Sequence, residues 1–126
     1  YALQERVHIN KPVKDILSEY VNSSLLVMSS NYEGFPMVMI EAMACGLPVV
    51  AFDFKCGPKD IIDNGVNGLI AESGNVADLA EKLTSIMSDE PRRKFMSVNA
   101  RKVIDRYSEK AVMDKWVDLF NNLVSA

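Results

Sequence analysis

Two glutamates, Glu33 and Glu41, are separated by seven residues in the stretch SNYEGFPMVMIEAMACGLPVVAF, residues 30–52. Glu33 precedes a Gly-Phe-Pro turn, and Glu41 lies among apolar residues that are predicted to form the next helix. A carboxylate there is costly unless it meets hydrogen-bond donors, and sugar hydroxyls are suitable donors. The alternative is structural: Glu33 is a solvated loop residue, and Glu41 caps or pairs within the core.

The elements around this pair predict where it lies in a fold. Leu25–Met28 is a continuous apolar run, which is typical of a buried parallel strand, and Met37–Cys45 reads as a buried helix. Gly46 and Pro48 are predicted to end that helix. The helix would then begin at the carboxyl end of a strand, which is where ligands bind in open α/β sheets, and its positive end suits a phosphate.

Each residue of the intervening turn has a predicted task. Pro36 suits the first helical position, and Phe35 before it is pushed toward extended geometry. Gly34 allows the backbone to turn and to approach a ligand closely. Free N–H groups of Met37 and Val38 would then point at a diphosphate.

The rest of the chain continues the alternation of strands and helices. The predicted elements are a strand at Val7–Ile9, a helix from Pro12, a strand at Val49–Phe52, a short helix from Pro58, a strand at Leu69–Ala71, and helices at Val76–Met87, Pro91–Tyr107 and, after a Ser108 cap, Glu109–Val124. This order predicts an α/β fold, Rossmann-like, with three α/β/α layers and a mostly parallel sheet. Four strands are few for such a domain, and the chain starts at Tyr1, so we expect a piece of a longer protein.

Composition excludes several function classes. The 126 residues carry a formal net charge of −3, which gives no general attraction to nucleic acid. No apolar run approaches the roughly 20 residues that span a bilayer. Cys45 and Cys56 are predicted to be reduced, space-filling thiols, and His8 is predicted to be a sheet-edge residue rather than a catalytic one.

The segment EGFPMVMIEAMACGLPVVAFD resembles a known family, the retaining glycosyltransferases of the GT-B class called group 1, which share an E-x7-E motif. The segments DNGVNGLI and ADLAEKLTSIMSDEPRRKFMSVNAR also match its usual order, so the resemblance spans about residues 5–124. It implies that residues 1–126 are part of the C-terminal, nucleotide-sugar-binding domain. The first strands and the N-terminal acceptor domain would lie outside this chain, and residues 108–125 would form a terminal crossover helix.

The resemblance also implies roles for the site residues. Glu33 would be the catalytic residue beside the transferred sugar, Glu41 would hold the ribose, and the other donor-binding residues would be Gly34, Phe35, Pro36, Met37 and Val38. The resemblance implies neither a cofactor nor a metal, since the family usually needs no bound metal. The departing diphosphate itself would assist the acceptor, so two carboxylates in hydrolase geometry are not required. Lys55 and Lys59 would contact the donor phosphates or remain solvated, and the KCGPKDII loop favours a UDP-sugar over a GDP-sugar.

The implied reaction transfers a hexosyl or N-acetylhexosaminyl group to an acceptor hydroxyl with retention, in bacterial polysaccharide or glycoconjugate synthesis. The acceptor would be a saccharide or a lipid-linked sugar, and the full-length enzyme would be cytoplasmic, in part at the inner face of the membrane. The fragment alone would be inactive and prone to self-association through an unpaired sheet edge. Two alternatives are a non-catalytic binding module of the same fold and a sugar-nucleotide epimerase.

Overall fold

A parallel sheet of three strands lies at the centre of the computed structural model, which describes residues 3–125. The strands are β1 (Leu26–Met28), β2 (Val49–Phe52) and β3 (Gly68–Ala71), arranged in the order β1-β2-β3. Both strand pairs are parallel, with Val27 opposite Val50 and Val50 opposite Leu69. Every residue of β2 is buried, as its continuous apolar run predicts for a central strand.

Helices flank this sheet and make up most of the remaining chain. In chain order they are α1 (Ile16–Val21), α2 (Met37–Ala44), α3 (Pro58–Ile61), α4 (Val76–Ser88), α5 (Glu90–Ala100), a 3₁₀ turn (Arg101–Val103), α6 (Ile104–Tyr107) and α7 (Glu109–Val124). No helix among residues 3–125 combines the length and the apolar character that crossing a bilayer requires.

The main core lies between the sheet, α2, α4 and α5. Its largest fully buried apolar side chains are Met39, Met43, Ile61, Ile86 and Met96. The end of α2 follows the predicted pattern, because Gly46 adopts a φ of 88° and reverses the chain toward β2. A side chain at Gly68 would collide with the Val49 carbonyl, so glycine lets β3 lie close against β2.

The predicted strand at Val7–Ile9 is wrong for this structure. These residues adopt no regular structure, and the Ile9 side chain is 97% exposed. A strand forms only beside a hydrogen-bonding partner, and no described strand lies next to this segment. His8 is therefore exposed coil rather than a sheet-edge residue. The outer edge of β1 is also unpaired among residues 3–125.

Two helix boundaries also differ from the prediction. The first helix begins at Ile16 rather than near Pro12, because the Asp15 carboxylate accepts a hydrogen bond from the Ser18 N–H at 3.3 Å and caps it there. The predicted Pro91–Tyr107 helix is three pieces, α5, the 3₁₀ turn and α6. Among the apolar residues of this segment, Met96 and Val103 are buried, whereas the following are exposed: Phe95, Val98 and Ile104.

Helix α7 begins at the predicted cap, where the Ser108 hydroxyl accepts a hydrogen bond from the Ala111 N–H at 3.3 Å. None of its residues is buried. The apolar residues along one side of the helix are open, with Trp116 49% and Phe120 58% exposed. The two rings stack on each other with centroids 5.7 Å apart. We name this surface the α7 stripe; its members are Val112, Trp116, Leu119, Phe120 and Leu123.

Candidate functional site

Glu33 lies on the loop that follows β1, at the carboxyl end of the sheet, as predicted. The Ser30 hydroxyl donates a hydrogen bond to its Oε1 atom at 2.8 Å, and the side chain is half-buried. This bond restricts the carboxylate while its second oxygen carries no hydrogen bond from the described residues. Gly34 leaves open space where a Cβ would lie, and its φ is not positive, so the turn itself does not require glycine. The open space is what close approach of a ligand would need.

The start of α2 presents fewer free donors than the sequence predicted. Pro36 is the N-cap residue rather than the first helical residue, with φ −82° and ψ 77°. The Met37 N–H donates to the Phe35 carbonyl at 2.9 Å, so it is already used. The Val38 N–H has no acceptor among residues 3–125. Of the two donors predicted, the Val38 N–H, with the positive end of an eight-residue helix, therefore remains for an anion.

Glu41 lies on α2 among buried neighbours, but its own side chain is exposed. Solvent therefore reaches the carboxylate, and the burial cost that the sequence suggested does not apply. Its Oε2 atom accepts a hydrogen bond from the Tyr20 hydroxyl at 3.1 Å. The Tyr20 side chain is only 5% exposed. Burial, followed by the hydrogen bond to Glu41 and the negative charge of that carboxylate, raises the pKa of Tyr20 above its ordinary value.

A second loop, residues 53–57, leads from β2 into α3 and lies beside the loop that carries Glu33. Tyr32 and Lys55 form a parallel bridge between the two loops. Gly57 packs so closely on Pro36 that an added Cβ would lie 2.7 Å from the proline ring. This contact, with a φ of 153° at Gly57, requires glycine there. The two loops therefore form one edge of the candidate site.

The two candidate phosphate lysines differ in their surroundings. Lys59 forms an ion pair with Asp53, with Nζ and Oδ2 2.5 Å apart. Lys55 is exposed and has no ion-pair partner among residues 3–125. Cys56, between them, is exposed with a φ of 64°, so it does not fill space as predicted, whereas Cys45 is half-buried; both thiols are free.

Tyr107 on α6, which the sequence did not indicate as a site residue, packs against this edge of the candidate site. Its ring packs against Phe35 with centroids 5.8 Å apart, and its hydroxyl donates to the Asp60 carbonyl at 2.8 Å. Arg106 donates to the Ile61 carbonyl at 2.7 Å, so α6 is tied to α3 at two points. Phe35 is thereby held in place by a helix that begins more than sixty residues later in the sequence.

A cavity of about 480 Å³ lies away from this site. Its lining residues include Val27 of β1, Leu25 just before that strand, and Leu83 and Met87 of α4. Within residues 3–125, no group of three His, Cys, Asp or Glu side chains is placed to hold a metal ion. The candidate site thus consists of two carboxylates, Glu33 and Glu41, the free Val38 N–H and Lys55, around the start of α2.

The chain is similar to known proteins over most of its length. Residues 1–103 match the family model described as Glycosyl transferases group 1. The chain is 39% identical over 99 residues to a poly(ribitol-phosphate) alpha-N-acetylglucosaminyltransferase of Staphylococcus aureus (strain COL), covering 78% of this chain and 20% of the relative. It is 34% identical over 121 residues to an amylovoran biosynthesis glycosyltransferase of Erwinia amylovora, covering 96% of this chain and 34% of that relative.

A solved structure of a TarM mutant from S. aureus, in complex with fondaparinux, alpha-GlcNAc-glycerol and UDP, matches with a TM-score of 0.87 at 34% identity. The match covers 94% of this chain and 24% of that one. The chain therefore spans between a fifth and about a third of the length of these proteins. The matches confirm the predicted family and the predicted Rossmann-like α/β class.

Proposed function

The chain belongs to the group 1 glycosyl transferases, and we propose that it forms part of the donor site of a retaining enzyme, which transfers a sugar from a nucleoside diphosphate to an acceptor hydroxyl. One observation supports this most directly. Glu33 lies on the loop before α2, at the carboxyl end of a parallel sheet, and Glu41 lies on α2 itself, so a diphosphate at the start of this helix would meet the free Val38 N–H.

In this proposal the donor lies across the start of α2. The diphosphate is beside Val38 and Lys55, the ribose hydroxyls donate to Glu41, and the sugar lies at Glu33. Gly34, Phe35, Pro36 and Met37 form the wall between the two carboxylates. Glu33 orients the sugar and stabilises charge at the transition state, while the departing diphosphate receives the acceptor proton. The site lies on an exposed surface, so the acceptor would be bound by residues beyond this chain.

The same relatives support a substrate class for this proposal. Two of them are named for transfer to a poly(ribitol-phosphate) and for amylovoran synthesis, which supports a hexosyl or N-acetylhexosaminyl donor and a role in bacterial polysaccharide or glycoconjugate synthesis. The UDP complex of TarM supports UDP over GDP as the leaving group. A cytoplasmic enzyme that meets lipid-linked acceptors at the inner face of the membrane stays a prediction.

The test is binding of UDP and GDP to the full-length protein by calorimetry, together with transfer kinetics. We expect Glu41→Ala to weaken UDP binding about tenfold or more, because hydrogen bonds to a charged acceptor are lost. Glu33→Gln should lower kcat about a hundredfold and change UDP affinity little. Glu81→Ala, which removes an exposed glutamate on α4, is the matched control. Equal UDP affinity in Glu41→Ala and wild type would refute the ribose role.

The two lysines provide a second test of the same pose. We expect Lys55→Ala to weaken UDP binding about fivefold in low salt and less in high salt. The reason is that salt screens the attraction between an exposed lysine charge and a phosphate. Lys59→Ala should have a smaller effect, because its ammonium is already paired with Asp53. A larger loss for Lys59→Ala would show that this ion pair opens to receive the phosphates.

The two alternative functions predicted from the sequence can be tested with the same full-length protein and its variants. A non-catalytic module would bind UDP but lose no biological activity on Glu33→Gln, and an epimerase would interconvert the sugar nucleotide without an acceptor. We expect the 126-residue chain alone to show no transfer in a coupled assay that detects released UDP. Turnover by the chain alone would show that the acceptor site is also within it.

A further inference from the structure

Tyr20 is the single side chain that anchors α1. It is the one buried residue of that helix, whereas Ile16, Leu17 and Val21 are exposed. Its ring packs in a small cluster with Ala42 and Leu47, on either side of the end of α2. The ring is therefore fixed from several directions, and the direction of its hydroxyl is fixed with it.

The Tyr20 hydroxyl reaches a carboxylate that would otherwise be free. Glu41 is exposed, and the 3.1 Å bond from Tyr20 to its Oε2 atom is the one hydrogen bond to this side chain within the described residues. A free glutamate samples many rotamers, and fixing one for a ligand costs about 1 kcal/mol or more in side-chain entropy. The bond from a rigid tyrosine restricts these rotamers before any ligand arrives.

We propose that Tyr20 is a positioning residue for the nucleotide ribose: its hydroxyl holds one oxygen of Glu41, so that the other oxygen meets the ribose hydroxyls. This inference rests on the proposed function, in which Glu41 binds the ribose. A carboxylate has about four lone-pair directions, so Oε1 and the remaining lone pair of Oε2 still accept both hydroxyls. Tyr20 itself touches no part of the donor.

The hydroxyl is a dependable donor in this place. Burial, together with the neighbouring carboxylate, raises the pKa of Tyr20 above its ordinary value, so the group stays protonated throughout the neutral range. Phenylalanine at this position keeps the ring and its contacts with Ala42 and Leu47 and removes only the donated hydrogen bond. Tyr20→Phe is therefore the substitution that isolates the proposed role.

The experiment compares wild type, Tyr20→Phe and Glu41→Ala in the full-length protein, at a temperature at which circular dichroism shows all three folded. Each binds UDP and 2′,3′-dideoxyuridine diphosphate, which lacks both ribose hydroxyls. We expect Tyr20→Phe to raise the Kd for UDP about threefold to tenfold and to leave the Kd for the dideoxy compound unchanged. The donor KM should rise in parallel, with kcat at saturating donor unchanged.

The outcomes separate this inference from the proposal on which it rests. If Glu41→Ala weakens UDP binding and Tyr20→Phe does not, the ribose role stands and the positioning role is refuted. Equal weakening of both ligands by Tyr20→Phe would also refute it, because a merely structural change does not depend on the ribose hydroxyls. If Glu41→Ala itself leaves UDP binding unchanged, the ribose role fails and the inference fails with it.

Discussion

Helices α4 and α7 have the same kind of sequence and opposite surroundings. Both are amphipathic, and both begin at a side-chain cap, Asn75 for α4 and Ser108 for α7. Helix α4 packs on β2 and β3, and its Ile86 is fully buried. Helix α7 buries no residue, and its stripe faces solvent. The periodicity of a sequence thus predicts a helix and its apolar face, but it does not say whether a partner lies within the chain.

The same contrast holds for the chain as a whole. Residues 26–103, which we call the central unit, contain the sheet and nearly all of the buried side chains. The flanks, residues 3–21 and 109–124, contribute one buried side chain, Tyr20. The candidate site lies in the central unit, whereas the flanks leave apolar surface open. We expect the central unit to determine stability and the flanks to determine association.

The largest expected effect is a difference in stability between the two regions when isoleucine is replaced by alanine in each. Ile86→Ala removes a fully buried side chain and should lower the free energy of unfolding by about 2–5 kcal/mol, because it leaves a cavity in the core. Ile9→Ala alters a side chain that is 97% exposed and should change the free energy of unfolding by less than about 0.5 kcal/mol. Urea unfolding of the 126-residue chain measures both.

Comparable losses for the two isoleucines in this chain would contradict the division into central unit and flanks. Measuring the same two isoleucine variants in the full-length protein makes this comparison more specific. A loss for Ile9→Ala that appears there alone would show that Val7–Ile9 becomes a strand when its partners are present, as the sequence predicts.

The second effect concerns the α7 stripe. We expect the isolated chain to self-associate, because the stripe and the unpaired edge of β1 are both open. Trp116→Glu should lower the association constant about tenfold, since a buried tryptophan is a frequent centre of an interface. Sedimentation velocity over a range of concentrations measures the change.

Asn122→Glu is the control, because it adds the same charge to the same exposed helix outside the stripe. Equal loss in both variants would mean that net charge rather than the stripe drives association. A monomer at every concentration would contradict the prediction. In the full-length protein, we expect the stripe to pack as the crossover helix at residues 108–125 and association through it to disappear.

Features set by neighbouring residues could be predicted from the sequence. The turn at Gly46, the cap at Ser108 and the short helix from Pro58 are all present, because their geometry depends on residue types within a few positions. Strands β1, β2 and β3 were each predicted to within one residue, because a continuous apolar run bounded by turn residues is a strong local signal.

Features set by distant residues could not be predicted. The strand at Val7–Ile9 needs a partner, and the burial of Phe95 or Val98 depends on how α5 is rotated against its neighbours. The Tyr20–Glu41 bond joins residues 21 positions apart, and Tyr107 meets Phe35 across a still longer interval. For the site, the sequence predicted Glu33 on the loop after β1 and Glu41 on the helix that follows, where the structure has them, but not the pairing of Lys59 with Asp53.

The smallest expected effect is a change in Tm on breaking an ion pair, and each of the two regions contains one such pair between residues four positions apart. In α4 the Lys82 ammonium lies 2.6 Å from the Asp78 carboxylate, with the two side chains 29% and 24% exposed. In α7 Lys110 and Asp114 make a pair of the same length, but their side chains are 84% and 61% exposed. The hydrogen bond from Lys82, followed by the one from the Glu72 N–H, lowers the pKa of Asp78 below its ordinary value.

A lowered pKa in the folded state means that Asp78 stabilises the fold above the ordinary carboxyl pKa of about 4 and that this contribution is lost as the pH falls further. We expect Asp78→Asn to lower the Tm slightly at neutral pH and the difference from wild type to shrink toward pH 2. Asp114→Asn should leave the Tm unchanged at every pH, because an exposed pair contributes little. Thermal unfolding followed by circular dichroism across this pH range measures both, and an Asp78→Asn difference that persists at pH 2 would show that the carboxylate charge is not its cause.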